Sequence, residues 1–484
     1  MIPILSGNVA TATASTAYDV ANSCRFDAGS SAKMTQTFSG TPTAVNKFTL
    51  SFWIKRSKLH LGSNTQSILN TETGNLEEMI RFEENDRLHI FTQNSAGAGT
   101  SSVKPSYQFR DTSSFYHIVV GIDTTQSTDT DRFKFWVNGS RLTDMNTTTY
   151  ISQGYTLRLN TAVEHEFGVR KSSAYLDAYI AELVYIDGQQ LDADQFGEYD
   201  SDSPQIWKPI DVSGLTFGNN GFYCDFADSG DLGDDESGNS NDFTEAGLAA
   251  TDQTSDTCTN NYAILNPLLQ LHSSTFSEGN CKWTPSTASQ YYWANSTIGV
   301  SQGKWYMEAK LTTAAAHNVI GISNEAPEDN TSFLSGTGGE GDSNVAYQYG
   351  YKSSDGETYN NSSGSSYGDT YTTGDIIGMY VDLDNNKIYW AKNGTIQNSG
   401  TGVDITDPGS IPGGVYFLAV ADGTSTNAAT WEVNFGNPTF SISSGNADAN
   451  GYGSFEYDPS SGTFDGASKD FYALNTKNLA EFGG

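Results

Sequence analysis

At 484 residues the chain is too long for one ordinary hydrophobic core, so two or three domains are expected. Its 25 basic and 57 acidic residues leave a net charge of −32, a field that repels phosphate backbones and excludes nucleic acid and anionic lipid as partners. No apolar run approaches the roughly 18 residues of a membrane span, so membrane insertion is excluded as well.

The opening "MIPILSGNVATATAST" has no basic stretch and only a short apolar one, so it reads as an N-terminal arm over 1–20 and a poor secretion signal. A first series of strand-like runs follows over 21–203. "FTLSFWIK" sets Phe48, Leu50, Phe52 and Ile54 on one face, "HIVVGID" does the same with Ile118, Val120 and Ile122, and "FKFWVNG" with Phe133, Phe135 and Val137. "AYIAELVYIDG" and then "LDADQFGEY", a short helical turn, close the series.

Residues 204–279 change character. "DFADSGDLGDDESGNSNDF" is acidic and rich in Gly, Ser and Asn, and is expected to be an ordered connector rather than a third core. The second series, 280–445, starts at "GKWYMEAKL", with Trp305, Met307, Ala309 and Leu311 in phase. In "DIIGMYVDLD", Ile377, Met379, Val381 and Leu383 share a face. Turn signals between the runs predict antiparallel sandwiches. The Gly/Ser-rich end, 446–484, is expected to pack as an extended C-terminal arm. The fold class is therefore all-β: two antiparallel β-sandwich domains of jelly-roll type joined by the acidic connector.

The order of "CRFDAGSSAKM", "FTLSFWIKRS", "FYHIVVGID", "FKFWVNG" and "YIAELVYIDGQQLDADQFGEY" resembles a concanavalin A-like, laminin-G-type jelly roll. "GKWYMEAKL", "GDIIGMYVDLDNNKIYWAKNG" and "WEVNFGNPTF" resemble the opening strand, central hairpin and closing strand of a SPRY domain. The combination, with "LNTKNL" in the tail, resembles structural proteins of tailed bacteriophages, especially marine ones. That resemblance implies a non-enzymatic virion component: a head or tail fibre, a decoration or a host-attachment part. Its partners would be capsid or tail proteins or a host surface glycan, its location the virion, and its state a homo-oligomer such as a trimer. The other reading is a secreted glycan-binding or glycan-cleaving jelly-roll protein.

Site chemistry is sparse. Glycoside hydrolysis needs two carboxylates facing one cleft about 5 to 9 Å apart. Glu83 and Glu84 are adjacent, so a strand would send them to opposite faces; Glu325, Glu328 and Asp329 lie in a loop made by Pro327. The histidines at 60, 89, 117, 165, 272 and 317 accompany no GxSxG or Cys–His signature, and His117 at a strand start reads as a structural hydrogen-bonding residue. No catalytic residue and no cofactor is assigned.

One metal reading stands beside a plain one. Asp228, Asp231, Asp234 and Asp235, with Glu236 and Asp242, offer the oxygens Ca²⁺ requires, but without the register of an EF-hand loop; a solvated turn explains them as well. For partners, "YQYGYKSSDGETYNNSSGSSYGDTY" gathers Tyr347, Tyr349, Tyr351, Tyr359, Tyr367 and Tyr371. Alternation puts Tyr347, Tyr349 and Tyr351 on one face, either a sugar-stacking surface or the ordinary strand pair of a SPRY module. The loop 326–343 is the other expected partner-binding edge. Cys24, Cys224, Cys258 and Cys281 form no CxxC pair and read as free buried thiols, with Cys258–Cys281 the pair to join if any does.

"FKFWVNGS" and "IYWAKNGT" echo each other. In each, Asn-Gly supplies the positive φ angles of a tight hairpin, so the echo marks one hairpin in each sandwich rather than a shared sugar site.

Overall fold

The computed structural model describes residues 18–59, 65–74, 76–93, 99–201, 203–269, 273–286, 292–324, 346–361, 363–423 and 428–483. The predicted loop 326–343, the N-terminal arm up to residue 17, His60, His272 and Glu325, Glu328 and Asp329 lie outside the described residues. The chain divides into two compact units between Asn260 and Asn261. Both are built from antiparallel sheets, as the alternating runs require. Among the described residues no helix is long and apolar enough to cross a membrane.

In the N-terminal unit two eight-stranded sheets enclose a core. The strands Lys47–Arg56, Tyr116–Asp123, Phe133–Val137 and Ala178–Asp187 lie in one sheet. The side chains read as inward-facing do face inward: Phe48, Leu50, Phe52, Ile54, Ile118, Val120, Ile122, Phe133, Phe135 and Val137 all belong to the central core. The opposite face of the same sheet is also covered. Trp53, Val119, Trp136 and Tyr179 pack there under Phe196, Trp207, Val212 and Phe217. The turn in "LDADQFGEY" is a 3-10 turn, Ala193–Gln195.

The cover on that second face corrects the connector. Residues 204–260 are not a spacer; they complete the first sandwich. Phe222–Cys224 pairs with Ala178–Asp187, Thr244–Ala246 extends the edge strand Lys33–Thr37, and Gln253–Thr254 adds to Ser23–Phe26. Phe226, Leu232 and Phe243 drop from the acidic run into the core. Lys55 and Asp256, both fully buried, form an ion pair of 2.6 Å that fastens the end of this stretch to a central strand.

In the C-terminal unit a nine-stranded and a six-stranded sheet face each other. Trp305, Met307, Ala309, Leu311, Ile377, Met379, Val381 and Leu383 point into the core between them. Tyr306, Tyr380, Tyr389 and Ala391 point the other way, where Phe455, Phe464 and Phe471 of the C-terminal segment cover them. The predicted arm thus lies along the sheet, with a two-residue parallel strand, Tyr472–Ala473, and a terminal helix, Thr476–Phe482, that periodicity did not reveal.

The two Asn-Gly hairpins share more than their turn angles. Asn138 and Gly139 have φ of 46° and 75°, Asn393 and Gly394 have 48° and 78°. Each asparagine also exchanges two hydrogen bonds with the strand opposite. The Asn138 amide N–H donates to the His117 carbonyl and the His117 N–H to Asn138 Oδ1; Asn393 does the same with Ile376. Each glycine lies against an aromatic ring from a later segment, Gly139 against Trp207 and Gly394 against Tyr457, where a Cβ would come within 2.3 and 2.6 Å of ring carbons.

Candidate functional site

The tyrosine-rich stretch splits into two environments. Tyr349 and Tyr351 sit on the strand Tyr349–Lys352 with Tyr347 just before it, and they do share a face. That face is the core. Tyr351 is fully buried, its ring 5.8 Å from that of Trp390, and its hydroxyl donates to the Asp369 carbonyl. Tyr349 is buried with its hydroxyl 3.0 Å from Thr406 Oγ1. The sugar-stacking reading of Tyr347, Tyr349 and Tyr351 is therefore corrected: the inward face of a sandwich cannot stack on an external ring.

Tyr359 is different. It lies on the hairpin made by Glu357–Asn360 and Ser363–Ser366, at the edge of the six-stranded sheet, and is half-buried. Its hydroxyl donates to Glu357 Oε2 at 2.9 Å and Asp355 Oδ2 at 3.1 Å. Lys352 Nζ sits 4.9 Å from the ring centroid and 2.8 Å from Asp355 Oδ2, a cation–π contact closed by an ion pair. Burial pushes the phenol up, and the two carboxylates add to that. Partial burial works to raise the Asp355 carboxyl, but hydrogen bonds from Lys352 and the Glu357 amide hold it below the ordinary range.

Gly364 stands opposite Tyr359 in the hairpin, where a Cβ would come 2.5 Å from Glu357 Oε2 and 2.9 Å from the tyrosine ring; only glycine leaves that space. Asn360 Nδ2 donates to the Ala346 and Gln348 carbonyls, 2.9 Å each, and ties the hairpin to the chain just before it. The outer strand Ser363–Ser366 is exposed throughout. Among the described strands none pairs with its far side. Unpaired edge backbone is a template for adding another strand.

Sequence gave no sign of one further pair. Ser51 Oγ lies 2.9 Å from His117 Nε2, two residues 66 positions apart. Trp207 Nε1 donates to His117 Nδ1 at 2.9 Å. Indole nitrogen is only a donor, so Nδ1 must accept and Nε2 carries the proton toward Ser51. Burial, with no compensating charge, pushes the imidazole down to about 3. A neutral ring already protonated on the side facing serine cannot take the serine proton, so this dyad is not arranged for nucleophilic catalysis. His117 keeps the structural role expected of it.

The acidic residues are also engaged. Burial raises Glu83, but hydrogen bonds from His89 and Lys104 outweigh it and hold the carboxyl at about 2. Glu84 starts a 3-10 turn. Asp235 is buried and accepts the backbone N–H groups of Tyr223, Ser237 and Asn241, each at 2.9 Å. Asp228 Oδ1 caps the Gly230 amide at 2.8 Å. Burial and the Glu245 carboxylate raise Asp231, and burial together with Asp231 raises Asp234. The structure does not gather Asp228, Asp231, Asp234 and Asp235 into one oxygen cage. The lone pairs of Asp235 are spent on backbone amides, and among the described residues no three His, Cys, Asp or Glu side chains are grouped to hold a metal ion. All four cysteines are buried, and Cys24, Cys224 and Cys258 are free thiols, so Cys258 and Cys281 are not joined.

Two family models match parts of the chain. Residues 304–436 match the SPRY domain and residues 27–195 the concanavalin A-like lectin/glucanases superfamily. The chain thus contains both domains, and it remains an all-β protein of sandwich type. The SPRY match begins at the strand Lys304–Thr313 and stops short of the C-terminal segment; the other match stops short of residues 204–260.

Among curated proteins, the chain is 32% identical over 148 residues to Ran-binding protein 10 of Danio rerio, covering 30% of this chain and 22% of that protein. It is 31% identical over 148 residues to Ran-binding protein 9 of Mus musculus and of Homo sapiens, covering 20% and 18% of those proteins. The chain spans about a fifth of the length of these relatives. Among solved structures it is similar to the SPRY domain of human HERC1, with 14% identity, 35% of this chain and 96% of that chain covered, and a TM-score of 0.27. It is also similar to a heptameric SAP-like pentraxin from Limulus polyphemus, with 17% identity, 37% and 82% covered, and a TM-score of 0.25.

These relatives correct the functional expectation. These curated relatives are Ran-binding proteins of animals, not virion components, which overturns the phage head or tail assignment, its capsid or tail partners and its virion location.

Proposed function

We propose that the chain is a non-enzymatic interaction protein whose SPRY-containing unit binds a basic, extended polypeptide along the edge hairpin Glu357–Asn360 and Ser363–Ser366. The observation that carries the reading is Tyr359. It is the one tyrosine of the stretch's first four that lies on the edge hairpin, next to a strand edge that no described strand pairs. An incoming strand would pair with the backbone of Ser363–Ser366, while Asp355 and Glu357 would meet its cationic side chains. The chain's charge of −32 favours such a partner over an acidic one. The relatives support a binding role, since they are named for binding Ran.

The test is selection of the full chain against a random-peptide display library, followed by calorimetry of the recovered peptides. Basic peptides that bind the wild type, and bind Tyr359→Ala at least about tenfold more weakly, are expected, in line with loss of an aromatic hot spot. Equal binding to both proteins, or no enrichment, would overturn the assignment.

A further inference from the structure

On the strand Lys304–Thr313 the outward-facing side chains are Tyr306, Glu308 and Lys310, and Glu308 is fully buried beneath the C-terminal segment. Its carboxylate grips that segment by two consecutive amides. Tyr457 N–H donates to Oε1 at 2.7 Å and Glu456 N–H to Oε2 at 3.0 Å. The Tyr306 hydroxyl adds a bond to Oε1 at 3.0 Å and Asn434 Nδ2 one to Oε2 at 3.2 Å. All four donors are neutral. Three other buried acids do have cations, Lys55 on Asp256, Arg56 on Asp86 and Lys469 on Asp382, whereas Glu308, like Glu182, has none among its hydrogen-bond partners.

The groups facing Glu308 from each packed element are few. Tyr380, on the next strand, lies with its ring centroid 4.6 Å from that of Tyr306, tilted by 43°, and shares a hydroxyl contact with it. Asn434 comes from the strand on the other side. The segment itself brings Glu456, whose carboxylate turns away to Ser443 and feels Lys310, and Asp458, whose charge reaches Tyr380. Over 440–471 the segment joins no sheet ladder and makes only isolated bridges. Phe455, Phe464 and Phe471 hold it down, helped by the Tyr389 hydroxyl on Asp465 at 2.6 Å.

We propose that residues 446–471 form a strap that lifts from the aromatic sheet face as Glu308 loses its proton, closed in mild acid and loosened above neutral pH. With the strap down, a charged Glu308 has only neutral dipoles around it; with the strap up, water solvates it. Burial accordingly pushes the closed carboxyl up to about 7, with the amide, tyrosine and asparagine bonds working against burial. Closure costs no contact when the proton arrives, because the Tyr306 hydroxyl can turn from donating to accepting. The closed state binds the proton more tightly than the open one, so falling pH favours closure between about 7 and the ordinary carboxylate value of 4.5. Lifting uncovers Tyr306, Tyr380 and Tyr389.

The experiment is hydrogen–deuterium exchange on the full chain at pH 5.5 and 8.0, corrected for chemical exchange. Protection over 453–460 is expected to fall by roughly thirtyfold at the higher pH, while the strand Tyr292–Val300 stays protected and Glu308→Gln shows no such fall. Unchanged strap protection in the wild type would overturn the proposal, as would a loss spread equally over Tyr292–Val300. If the variant folds, persistence of the fall in it would overturn the proposal too; if it does not, the wild-type contrast between strap and core decides.

Discussion

Trp207 Nε1 and His117 Nδ1 are joined by a hydrogen bond of 2.9 Å, and through it a residue of the acidic stretch fixes the proton of a residue on a central strand. Replacing Trp207 by Phe keeps an apolar cover but leaves a buried imidazole nitrogen without its donor. The N-terminal unit is expected to lose about 1–3 kcal/mol, read by urea unfolding. A change within error would show that the bond does not order the ring.

The ion pair of Lys55 and Asp256 makes a sharper claim about 204–260. Lys55→Met should strand a buried carboxylate and cost about 3–5 kcal/mol. The double variant Lys55→Met/Asp256→Leu should recover part of that loss, because the stranded charge is gone. If the two variants are equally unstable, the pair's charges are not what matters.

Glu182 sits at a bulge, where the register shifts between Ala181 and Val184, with φ of 49° and Tyr223 Oη 2.9 Å away. Burial, with no cation beside it, raises the carboxyl to about 8. A folded value above the unfolded one means the stability tied to its proton is complete below about 4.5 and lost as pH rises through about 8. Between pH 5 and pH 9 the wild type should lose on the order of 3 kcal/mol more than Glu182→Gln. Parallel denaturation profiles for the two proteins would contradict this.

Tyr351 and Tyr359 should behave oppositely when shortened. Tyr351→Ala removes a fully buried ring and should cost about 3–5 kcal/mol, whereas Tyr359→Ala at the edge should stay within about 1 kcal/mol. Thermal melts of the two variants check this, and only the second gives a clean binding experiment. Equal losses would mean that Tyr359 is part of the core's support.

The alternating runs made both cores legible, because Phe48, Leu50 and Phe52, like Trp305, Met307 and Ala309, repeat with the period of a strand. The hairpins were legible from Asn-Gly. The acidic stretch was not: Phe226, Leu232 and Phe243 enter the core from irregular turns, where no period exists to read, and Asp235 organises those turns through backbone amides. Trp207, a bulky aromatic in a polar stretch, was the one local signal. Nor could alternation say which side of the tyrosine strand faces solvent; it groups Tyr349 with Tyr351 but leaves open whether the shared face is core or surface. The virion reading rested on the order of the modules, and sandwich modules recur in unrelated settings.

The N-terminal unit is sewn together from its two ends. Ser23, Arg25 and Lys55 bond to residues 233, 227 and 201 positions later in the chain, and the strand Ser23–Phe26 takes its outer neighbour from Gln253–Thr254. During synthesis, a chain that has emerged only as far as the concanavalin A-like match carries a bare aromatic sheet face and a first strand that is paired on its Ala178–Asp187 side but still lacks its outer neighbour. Such long-range closure is slow, and exposed edges of this kind pair readily with other chains. A stalled or truncated product ending before residue 253 would present that edge to a second nascent copy, making it a substrate for chaperones rather than a functional half-molecule.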